Sequence, residues 1–389
     1  MKNMKDYDII VVGAGPVGST YAYKMAKMGY DVALYDMKNR IGHPLQCAGL
    51  VSTNIDKTKN LPREFIDNEI QGANLTSPDM TSITVSKQDT AAYVIDRIYY
   101  DKYLANRAED AGVDVFYSTR VYDVDIENTT IKTKDDTYSS DIIAVSCGPN
   151  SQTAKKMNPE VEDESFLAMQ YIVSTLNEDT SFLDINVNMN ILPGFIWSIP
   201  VSYREKRVGL FTNGSYTQAE MILNSALKST DVVVDKSHGI IPRFNPQKCI
   251  VKNNTILLGD SASQVKPTTG GGLIAGFNSA QIAAENSDLM LKEHDNNYLL
   301  RYEKQYHERY DNEFKTQINV QKILEDLSED DVNFMFRQLK ECQADKIISK
   351  YGDMDDQSIL IKELIKSGVI FKLLPKIGIR RLKNIWKSQ

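Results

Sequence analysis

The chain has 389 residues, of which 42% are hydrophobic and 25% are charged, and its formal net charge is −7. This length suits two or three interleaved lobes, because domains usually hold about 100–200 residues. The composition excludes extensive disorder. The acidic balance argues against nucleic acid as a partner, since nucleic-acid carriers present basic surfaces to phosphate.

The spacing of the cysteines bears on whether the chain binds a metal, and its first residues bear on where the protein is located. Cys47, Cys147, Cys249 and Cys342 lie far apart, and neither they nor the histidines show the spacing of a metal site, so we expect no metal. The first residues lack the apolar segment of an export signal, and no run approaches the ~20 apolar residues of a membrane span. We expect a cytoplasmic protein whose only membrane contact is peripheral, at the inner face.

The first elements form a βαβ unit. Tyr7–Val12 is a short apolar run rich in β-branched side chains and predicts a strand, and Ser19–Met28 carries helix formers up to Gly29. Asp31–Tyr35 then alternates as a second strand and ends at the acid Asp36. This pattern indicates the start of a parallel sheet.

The turn between the first strand and the helix matches G-x-G-x-x-G over residues 13–18. In that pattern Gly13 permits a tight turn, Gly15 lets the backbone approach a pyrophosphate, and Gly18 lets the helix pack close to the sheet. The helix N-terminus offers free N–H groups to phosphates, and Asp36 can accept ribose hydroxyls. The pattern predicts a dinucleotide site, against the alternative of a glycine-rich structural turn.

Further along the chain the predicted secondary structure changes twice. Asp101–Ala111 predicts a helix, Val113–Phe116 a strand, and the runs on either side of Asn128 two more strands. Between Phe166 and Leu210 short alternating runs broken by proline and glycine predict antiparallel strands. From Ser279 onward helix formers dominate.

A second motif near residue 260 favours FAD over NAD as the dinucleotide. The apolar run Ile256–Leu258 ends in Gly259-Asp260, and the glycines 270–272 open a helix at Leu273. The carboxylate of Asp260 can bind a ribityl hydroxyl, and the helix N-terminus can stabilise the negative charge of a reduced flavin. An NAD dehydrogenase does not need this element. The alternative is that Gly-Asp after a strand is an ordinary turn.

Together these motifs resemble the geranylgeranyl reductase family, within the larger group of flavoproteins shaped like aromatic hydroxylases. The resemblance spans Tyr7 to about Ala284 and is carried by residues 13–18, 46–50, 96–104, 146–151 and 259–272. It implies that the FAD is lined by Val17, Asp36, Cys47, Ala48, Leu50, Arg97, Val121, Asp260, Gly272 and Leu273. Arg97 also has a rationale of its own, because a fixed guanidinium suits a pyrophosphate. Its alternative is a surface arginine paired with Asp96 or Asp101.

The predicted fold class is α/β, with a Rossmann-type FAD-binding lobe of the aromatic-hydroxylase type, an inserted antiparallel β substrate lobe and a helical C-terminal region. The FAD-binding lobe is expected to be discontinuous, built from residues 1–55, 95–155 and 250–285. Residues 56–94 and 156–249 are expected to form the substrate lobe, and residues 286–389 the helical region.

The substrate is suggested by residues 192–200, which match loosely the lipid-binding signature of the family. Trp197 and Pro200 coincide with it, while Phe195 and Ile199 replace a tyrosine and a phenylalanine. We expect Phe195 and Trp197 to line a tunnel for a polyprenyl chain, against the alternative of a buried strand.

Cys47 is the candidate catalytic residue. Its thiol can donate the proton that accompanies a hydride to an alkene, or shift the flavin potential. The alternative is a small buried hydrophobic residue. His43 is a second candidate acid, against a surface role.

The resemblance implies a flavin-dependent reductase that saturates isoprenoid double bonds of geranylgeranyl glycerophospholipids in archaeal membrane lipid synthesis. Because the chain has a single dinucleotide fingerprint, electrons are expected from transiently bound NAD(P)H or from a small carrier such as ferredoxin. The alternatives are a flavin monooxygenase of an aromatic or prenyl substrate, and a prenyl-binding escort protein without redox activity.

The C-terminal segment, residues 360–389, reverses the charge of the chain. It carries eight lysines and arginines against the single acid Glu363, interleaved with apolar residues. Such a pattern is typical of a basic amphipathic helix that binds an anionic membrane surface. A terminal helix packed on the core with solvated lysines is the equal alternative.

Overall fold

The computed structural model describes residues 6–377. In chain order its strands are β1 Tyr7–Val12, β2 Val32–Tyr35, β3 Leu50–Ser52, β4 Ile66–Ile70, β5 Gly72–Thr76, β6 Ser82–Ser86, β7 Ala92–Ile95, β8 Asp114–Phe116, β9 Asp123–Asp125, β10 Thr130–Lys132, β11 Thr137–Val145, β12 Ser165–Ser174, β13 Phe182–Asn186, β14 Ile196–Ser202, β15 Glu205–Thr212, β16 Val232–Pro242, β17 Val251–Lys252 and β18 Thr255–Leu257.

The helices follow the same order and gather towards the end of the chain. They are α1 Pro16–Lys27, α2 Arg97–Asp110, α3 Gln152–Met157, α4 Tyr216–Ala226, α5 Leu273–Glu293, α6 Asn297–Glu325, α7 Glu329–Glu341, α8 Ala344–Tyr351, α9 Ser358–Lys366 and α10 Val369–Ile377. Short 3-10 helices span Thr53–Thr58, Arg63–Phe65 and Gly259–Ala262.

The first sheet is built around the apolar runs at the start of the chain. Its main order is β17-β18-β11-β1-β2-β8, with β1 parallel to both β2 and β11, and β9 and β10 attached as an antiparallel extension of β11. Helices cover this sheet, so its strands are buried on both faces and read as continuous runs of Val, Ile and Leu. The carboxyl ends of β1, β2, β11 and β18 therefore meet at one edge.

The second sheet has seven strands in the order β16-β12-β15-β14-β13-β5-β6. Its pairs are antiparallel except for β13 and β5, which run parallel. A small antiparallel sheet, β3-β7-β4, is formed by segments that lie along the chain between β2 and α2. The predicted α/β class with an antiparallel insertion and a helical C-terminal region is confirmed. The exact lobe boundaries stay a proposal, which the membership of the two large sheets supports.

Two helices begin earlier than predicted. The helix α1 begins at Pro16, because the glycine turn leads directly into it. In α2 the carboxylate of Asp96 accepts hydrogen bonds from the N–H groups of Ile98 and Tyr99, and this cap starts the helix at Arg97. The helix α5 begins at Leu273, directly after Gly272, as the second glycine motif predicts.

The prediction of one continuous basic helix over residues 360–389 is wrong for the described part. The segment forms two helices, α9 and α10, separated at Ser367 and Gly368, where Gly368 has a φ of +79°. Ile361, Val369 and Leu373 are buried, and Leu373 packs in a cluster with α7 and β6. Thus the core-packed alternative describes residues 360–373, and the remaining basic residues beyond 377 lie outside the described part of the chain.

Candidate functional site

The glycine turn combines two close contacts with one open position. A Cβ on Gly13, whose φ is +107°, would lie 2.3 Å from the carbonyl oxygen of Ser146, and a Cβ on Gly18 would lie 2.1 Å from the carbonyl oxygen of Gly13. A Cβ on Gly15 would meet nothing within 4 Å. The turn is therefore packed against β11 and α1 but leaves space in front of the N-terminus of α1. A phosphate group fits such a space, because the free N–H groups of the first helical turn face it.

Asp36 lies beside this turn at the end of β2. Its Oδ2 accepts a hydrogen bond from the N–H of Ala14 at 2.7 Å, and its Oδ1 accepts one from the N–H of Lys38 at 2.8 Å. Each carboxylate oxygen keeps a second lone pair for a ribose hydroxyl. The carboxylate is thus held in place before any ligand binds.

An open cavity of about 480 Å³ adjoins the Asp36 loop. Lys38, Arg40 and His43 line it together with Ser118, so its wall is cationic. His43 is exposed here and does not belong to the residues that meet around Cys47. Val121, which the resemblance placed at the cofactor, is partly buried against the core of the first sheet. Lys38, Arg40, His43 and Ser118 surround the space expected for the adenosine end of a dinucleotide.

Asp260 lies in the 3-10 helix after β18, in a recess only partly open to solvent. Within the described residues its carboxylate has no hydrogen-bond partner. Burial raises the pKa of this carboxyl group, and the charge of Arg97 opposes the rise. A partly buried carboxylate without a donor is costly, so Asp260 is suited to a ligand hydroxyl that would supply one.

The second motif packs directly on the first. A Cβ on Gly272 would lie 3.2 Å from Oδ1 of Asp260, which puts the beginning of α5 against that carboxylate. No side chain caps α5, so the N–H groups of its first turn remain available next to Leu273. The side chain of Val17 fits between the motifs, because a Cβ on Gly276 would come within 2.4 Å of its Cγ2. The two glycine motifs therefore form one continuous surface.

Arg97 lies mostly inside the protein, with 13% of its side chain exposed. Its Nε and Nη2 each donate a hydrogen bond of 2.9 Å to the carboxylate of Asp101, and Nη1 takes no part in this pair. Burial works against the charge, but the carboxylate of Asp101 outweighs it and a Cys47 thiolate would add to the effect, so the pKa of Arg97 is raised. The alternative interpretation predicted a pair of Arg97 with Asp101, and this pair is present. It holds the guanidinium where it interacts with Cys47 and Asp260.

The loop from Gln46 to Leu50 is held by side chains that sequence reasoning did not single out. The carbonyl oxygen of Cys47 accepts from Nε2 of Gln170 at 3.3 Å, and that of Ala48 accepts from Nη1 of Arg207 at 2.9 Å. Arg207 also donates to the carbonyl oxygen of Ile95 and pairs with Asp67. Both anchors come from the second sheet, and no local pattern marks them. Leu50 continues into β3.

Phe195 and Trp197 belong to a buried apolar cluster on the second sheet, here called the aromatic cluster, which also holds Phe166 and Phe211. The rings of Phe195 and Phe211 lie 5.1 Å apart at 79°, and those of Phe195 and Trp197 lie 6.2 Å apart at 72°. Nε1 of Trp197 donates to Oε1 of Gln170 at 3.3 Å. Because Gln170 in turn contacts the Cys47 carbonyl, the aromatic cluster is joined to the loop at Cys47 through one side chain.

Ala48 and Leu50 pack against the same aromatic cluster. The structure thus brings together Cys47, Ala48, Leu50, Arg97, Asp260, Gly272 and Leu273, and joins Phe195 and Trp197 to them. Gly13, Gly15, Val17, Gly18 and Asp36 lie along the adjoining edge of the first sheet. His43 lies apart, beside Lys38 at the open cavity, and Val121 packs on the core of the first sheet.

Two kinds of site are not found in the part of the chain that the structure describes. Residues 6–377 contain no group of three or more His, Cys, Asp or Glu side chains arranged to hold a metal ion. None of the described helices has the length and apolar character needed to cross a membrane.

Comparison with protein families gives two matches along the chain. Residues 11–53 match the NAD(P)-binding Rossmann-like domain, and residues 56–315 match the tryptophan halogenase family. The first match covers the βαβ unit with the glycine turn. The second contains the aromatic cluster and Asp260.

Comparison with individual proteins points to reductases and to flavin-dependent halogenases. Digeranylgeranylglycerophospholipid reductase 1 of Methanococcoides burtonii is 26% identical over 370 residues, covering 88% of this chain and 90% of that protein. The crystal structure of a geranylgeranyl bacteriochlorophyll reductase-like protein from Thermoplasma acidophilum superposes with a TM-score of 0.85 at 22% identity, covering 98% of this chain and 100% of the other. The flavin-dependent halogenase CmlS superposes with a TM-score of 0.64 at 18% identity, covering 84% and 67%. Because the tryptophan halogenase match spans more than half of the chain, the chain belongs to that protein family.

Proposed function

We propose that the chain is an FAD-dependent reductase that saturates isoprenoid double bonds of geranylgeranyl glycerophospholipids in the synthesis of archaeal membrane lipids. The observation that carries the proposal is the continuous surface formed by the glycine turn and the Asp260 motif, on a chain similar over most of its length to a digeranylgeranylglycerophospholipid reductase.

The residues on this surface fit FAD from end to end. Asp36 would hold the adenosine ribose and the N-terminus of α1 the pyrophosphate, in the space that a Cβ on Gly15 would fill. Asp260 would accept a ribityl hydroxyl, and the first turn of α5 would face the ring edge that becomes negative on reduction. Arg97, held by Asp101, adds a fixed positive charge between them.

The cofactor would supply a hydride for one alkene carbon, and the protein must supply a proton for the other. Cys47 is the proposed proton donor. Arg97 is a charged side chain that interacts with Cys47. The carbonyl oxygens of Cys47 and Ala48 are fixed by Gln170 and Arg207, so the thiol has a defined backbone position.

The apolar side of the site suits a prenyl chain. Phe195 and Trp197 lie in the aromatic cluster, and Ala48 and Leu50 connect that cluster to the flavin loop. A chain lying there would be screened from water, which keeps hydride and proton for the alkene.

We also propose where electrons and lipid come from. Transiently bound NAD(P)H or a small carrier such as ferredoxin would reduce the cofactor, since the chain has one dinucleotide fingerprint. A cytoplasmic enzyme would meet its lipid at the inner face of the membrane. The exposed side chains of Lys362 and Lys372 support this contact, because lysines are attracted to anionic headgroups.

Anaerobic turnover tests the proposal. Chemically reduced protein mixed with a geranylgeranyl glycerophospholipid should reoxidise its flavin while the product gains two mass units per bond. The family match to tryptophan halogenase favours a second candidate, an oxygen-dependent monooxygenase or halogenase. If turnover requires oxygen and the product gains an oxygen or halogen atom, the reductase proposal is wrong. A protein that purifies without flavin and still binds the lipid would indicate an escort role.

A further inference from the structure

The segment Asp353–Asp356, here called the strap, joins α8 to α9 and contacts three elements that are distant in the sequence. It reaches the end of β3, the loop before α5 and the helix α6. None of these contacts was foreseen, because the strap has no motif. Met354 of the strap also packs against the aromatic cluster, and this contact connects the strap with the proposed substrate site.

The contact with the loop before α5 is an ion pair. Nζ of Lys266 donates to Oδ1 of Asp355 at 2.7 Å and to the carbonyl oxygen of Met354 at 2.9 Å. A Cβ on Gly271 would lie 2.8 Å from Cε of Lys266, so the lysine also packs on the turn that opens α5. The strap is therefore tied to the same turn that faces the proposed flavin ring.

The contact with β3 uses the other oxygen of Asp355. Oδ2 accepts from the hydroxyl of Ser52 and, at 2.9 Å, from Nδ2 of Asn54. Burial raises the pKa of this carboxyl, but Lys266, Ser52 and Asn54 outweigh it and the net pKa is lowered. Asp355 is thus a carboxylate at neutral pH, anchored from two sides.

The contact with α6 fixes the exit of the strap. The N–H of Gln357 donates to Oε1 of Glu313 at 2.8 Å, and Nε2 of Gln357 donates to the hydroxyl of Thr268 at 2.7 Å. Nε2 of Gln317 reaches the carbonyl oxygen of Asp355 at 3.5 Å. With both ends fixed, the backbone between them, which carries Met354, has little freedom.

Met354 is the apolar residue of the strap, whose other three residues are aspartates. It packs, partly exposed, against the aromatic cluster that contains Phe195 and Trp197 and that Ala48 and Leu50 also contact. The polar anchors on both sides fix the backbone of Met354 and so keep its side chain over the apolar cluster. Methionine is also the side chain that adapts most readily to a flexible apolar ligand.

We infer that the strap bounds the prenyl-binding part of the site at the aromatic cluster, and that Met354 contacts the prenyl chain and sets which chain lengths are accepted. The inference rests on the proposed function, since it names a wall of the same site. It makes Met354 a specificity-determining residue and Lys266 with Asp355 the positioning pair that holds it.

The test compares Met354→Ala and Met354→Phe with Met335→Ala, a methionine of similar burial in the C-terminal region that packs in a different cluster. The probes are geraniol and geranylgeraniol, titrated into the FAD-loaded oxidised protein and followed by the flavin absorbance spectrum. Met354→Phe should weaken geranylgeraniol binding about tenfold more than geraniol binding, which corresponds to ~1.4 kcal/mol. Met354→Ala should change the ratio of the two dissociation constants severalfold, and Met335→Ala should leave it unchanged.

A second readout separates this inference from the proposed function. The rate at which sulfite adds to the oxidised flavin measures access to the ring, and it requires no prenyl ligand. Met354→Ala should raise this rate severalfold over wild type and Met335→Ala. If the wild type binds neither alcohol, the proposed substrate class fails, and the strap is then judged by sulfite alone. Ligand ratios and sulfite rates equal to wild type in both Met354 variants would overturn the inference.

Discussion

The edge of the first sheet and the aromatic cluster of the second sheet build their parts of the site by different means. At the edge of the first sheet the contacts come from backbone N–H groups and from glycines that permit close approach, within the two short segments 13–18 and 259–273. At the aromatic cluster they come from long side chains, Gln170, Arg207 and Met354, which lie far apart in the sequence. A cofactor site made from backbone is local in sequence, while a substrate site made from side chains depends on the complete fold.

Substitutions in the glycine turn should give the largest effect and show how strictly the backbone defines the cofactor site. Gly15→Val should lower FAD affinity more than about a hundredfold, because a side chain would enter the phosphate space and several charge-assisted hydrogen bonds of ~1.5–3 kcal/mol each would be lost. Gly15 has an ordinary φ of −66°, so the apoprotein should keep its melting temperature. Fluorescence titration of FAD and a thermal melt measure both.

Gly18→Val provides the contrast, since its side chain would clash with the carbonyl oxygen of Gly13. This variant should lose stability itself, by about 3 kcal/mol. Equal melting temperatures for the two apoproteins would contradict the distinction between the open and the packed glycine.

Arg207→Met should show that the second sheet controls the flavin loop from a distance. The substitution removes donors to the carbonyl oxygens of Ala48 and Ile95 and leaves Asp67 without its partner, so we expect a loss of about 2–3 kcal/mol in the free energy of unfolding. It should also shift the visible spectrum of bound FAD. Arg204→Met on the same hairpin is the control, because Arg204 is exposed. A variant with wild-type stability and spectrum would mean that the loop is held without the second sheet.

Replacing Asp260 should lower the affinity for the cofactor, and removing its charge should raise the stability of the apoprotein. Asp260→Ala should weaken FAD binding ten- to a hundredfold through the loss of a hydrogen bond of ~1.5–3 kcal/mol. Because burial raises its folded pKa above the unfolded value, the ionised carboxyl reduces apoprotein stability as pH rises through that pKa. Asp260→Asn apoprotein should therefore be more stable than wild type at pH 7, and the two should converge below about pH 4. Urea unfolding at both pH values measures this; a less stable Asn variant at pH 7 would contradict it.

The smallest expected effect concerns the membrane. Lys362→Gln with Lys372→Gln should weaken binding to anionic vesicles by about 1–2 kcal/mol in low salt, since each lysine contributes about 1 kcal/mol near the surface. The difference should disappear as salt shortens the range of the attraction. Co-sedimentation with anionic and neutral vesicles measures it, and equal binding to both would remove the electrostatic contribution. FAD binding is the control that must stay constant, because neither lysine contacts the site.

Sequence reasoning reached the parts of the molecule in which local pattern and function coincide. The strand at Tyr7–Val12, the glycine turn and the strand before Asp260 could be predicted, because their β-branched runs and glycines have few other uses. The antiparallel character of residues 166–210 followed from alternation and from Pro193 and Pro200.

The remainder depends on contacts that no local pattern encodes. The burial of Arg97 requires α2 to meet the Asp260 recess, and Arg207 looks in the sequence like any arginine on a strand. From the sequence alone the strap looks like an acidic surface loop. Its contacts with Lys266 and Ser52 exist only in the folded chain. The break between the two C-terminal helices is an exception, because Gly368, with a φ of +79°, is a residue that commonly ends a helix, and the run of basic and apolar residues across it led to the interpretation of one helix.

The pairing of β11 with β18 in the first sheet has a consequence for biosynthesis. Residues 137–145 keep an unpaired sheet edge until residues 255–257 have been synthesised, and five of the seven strands of the second sheet, β12 to β16, are synthesised in between. The Asp260 motif follows β18 directly, so it reaches its place only when β18 has paired with β11. Half of the cofactor site therefore does not exist on a nascent chain that stops short of residue 273, and tight retention of FAD reports that both sheets have been made and joined.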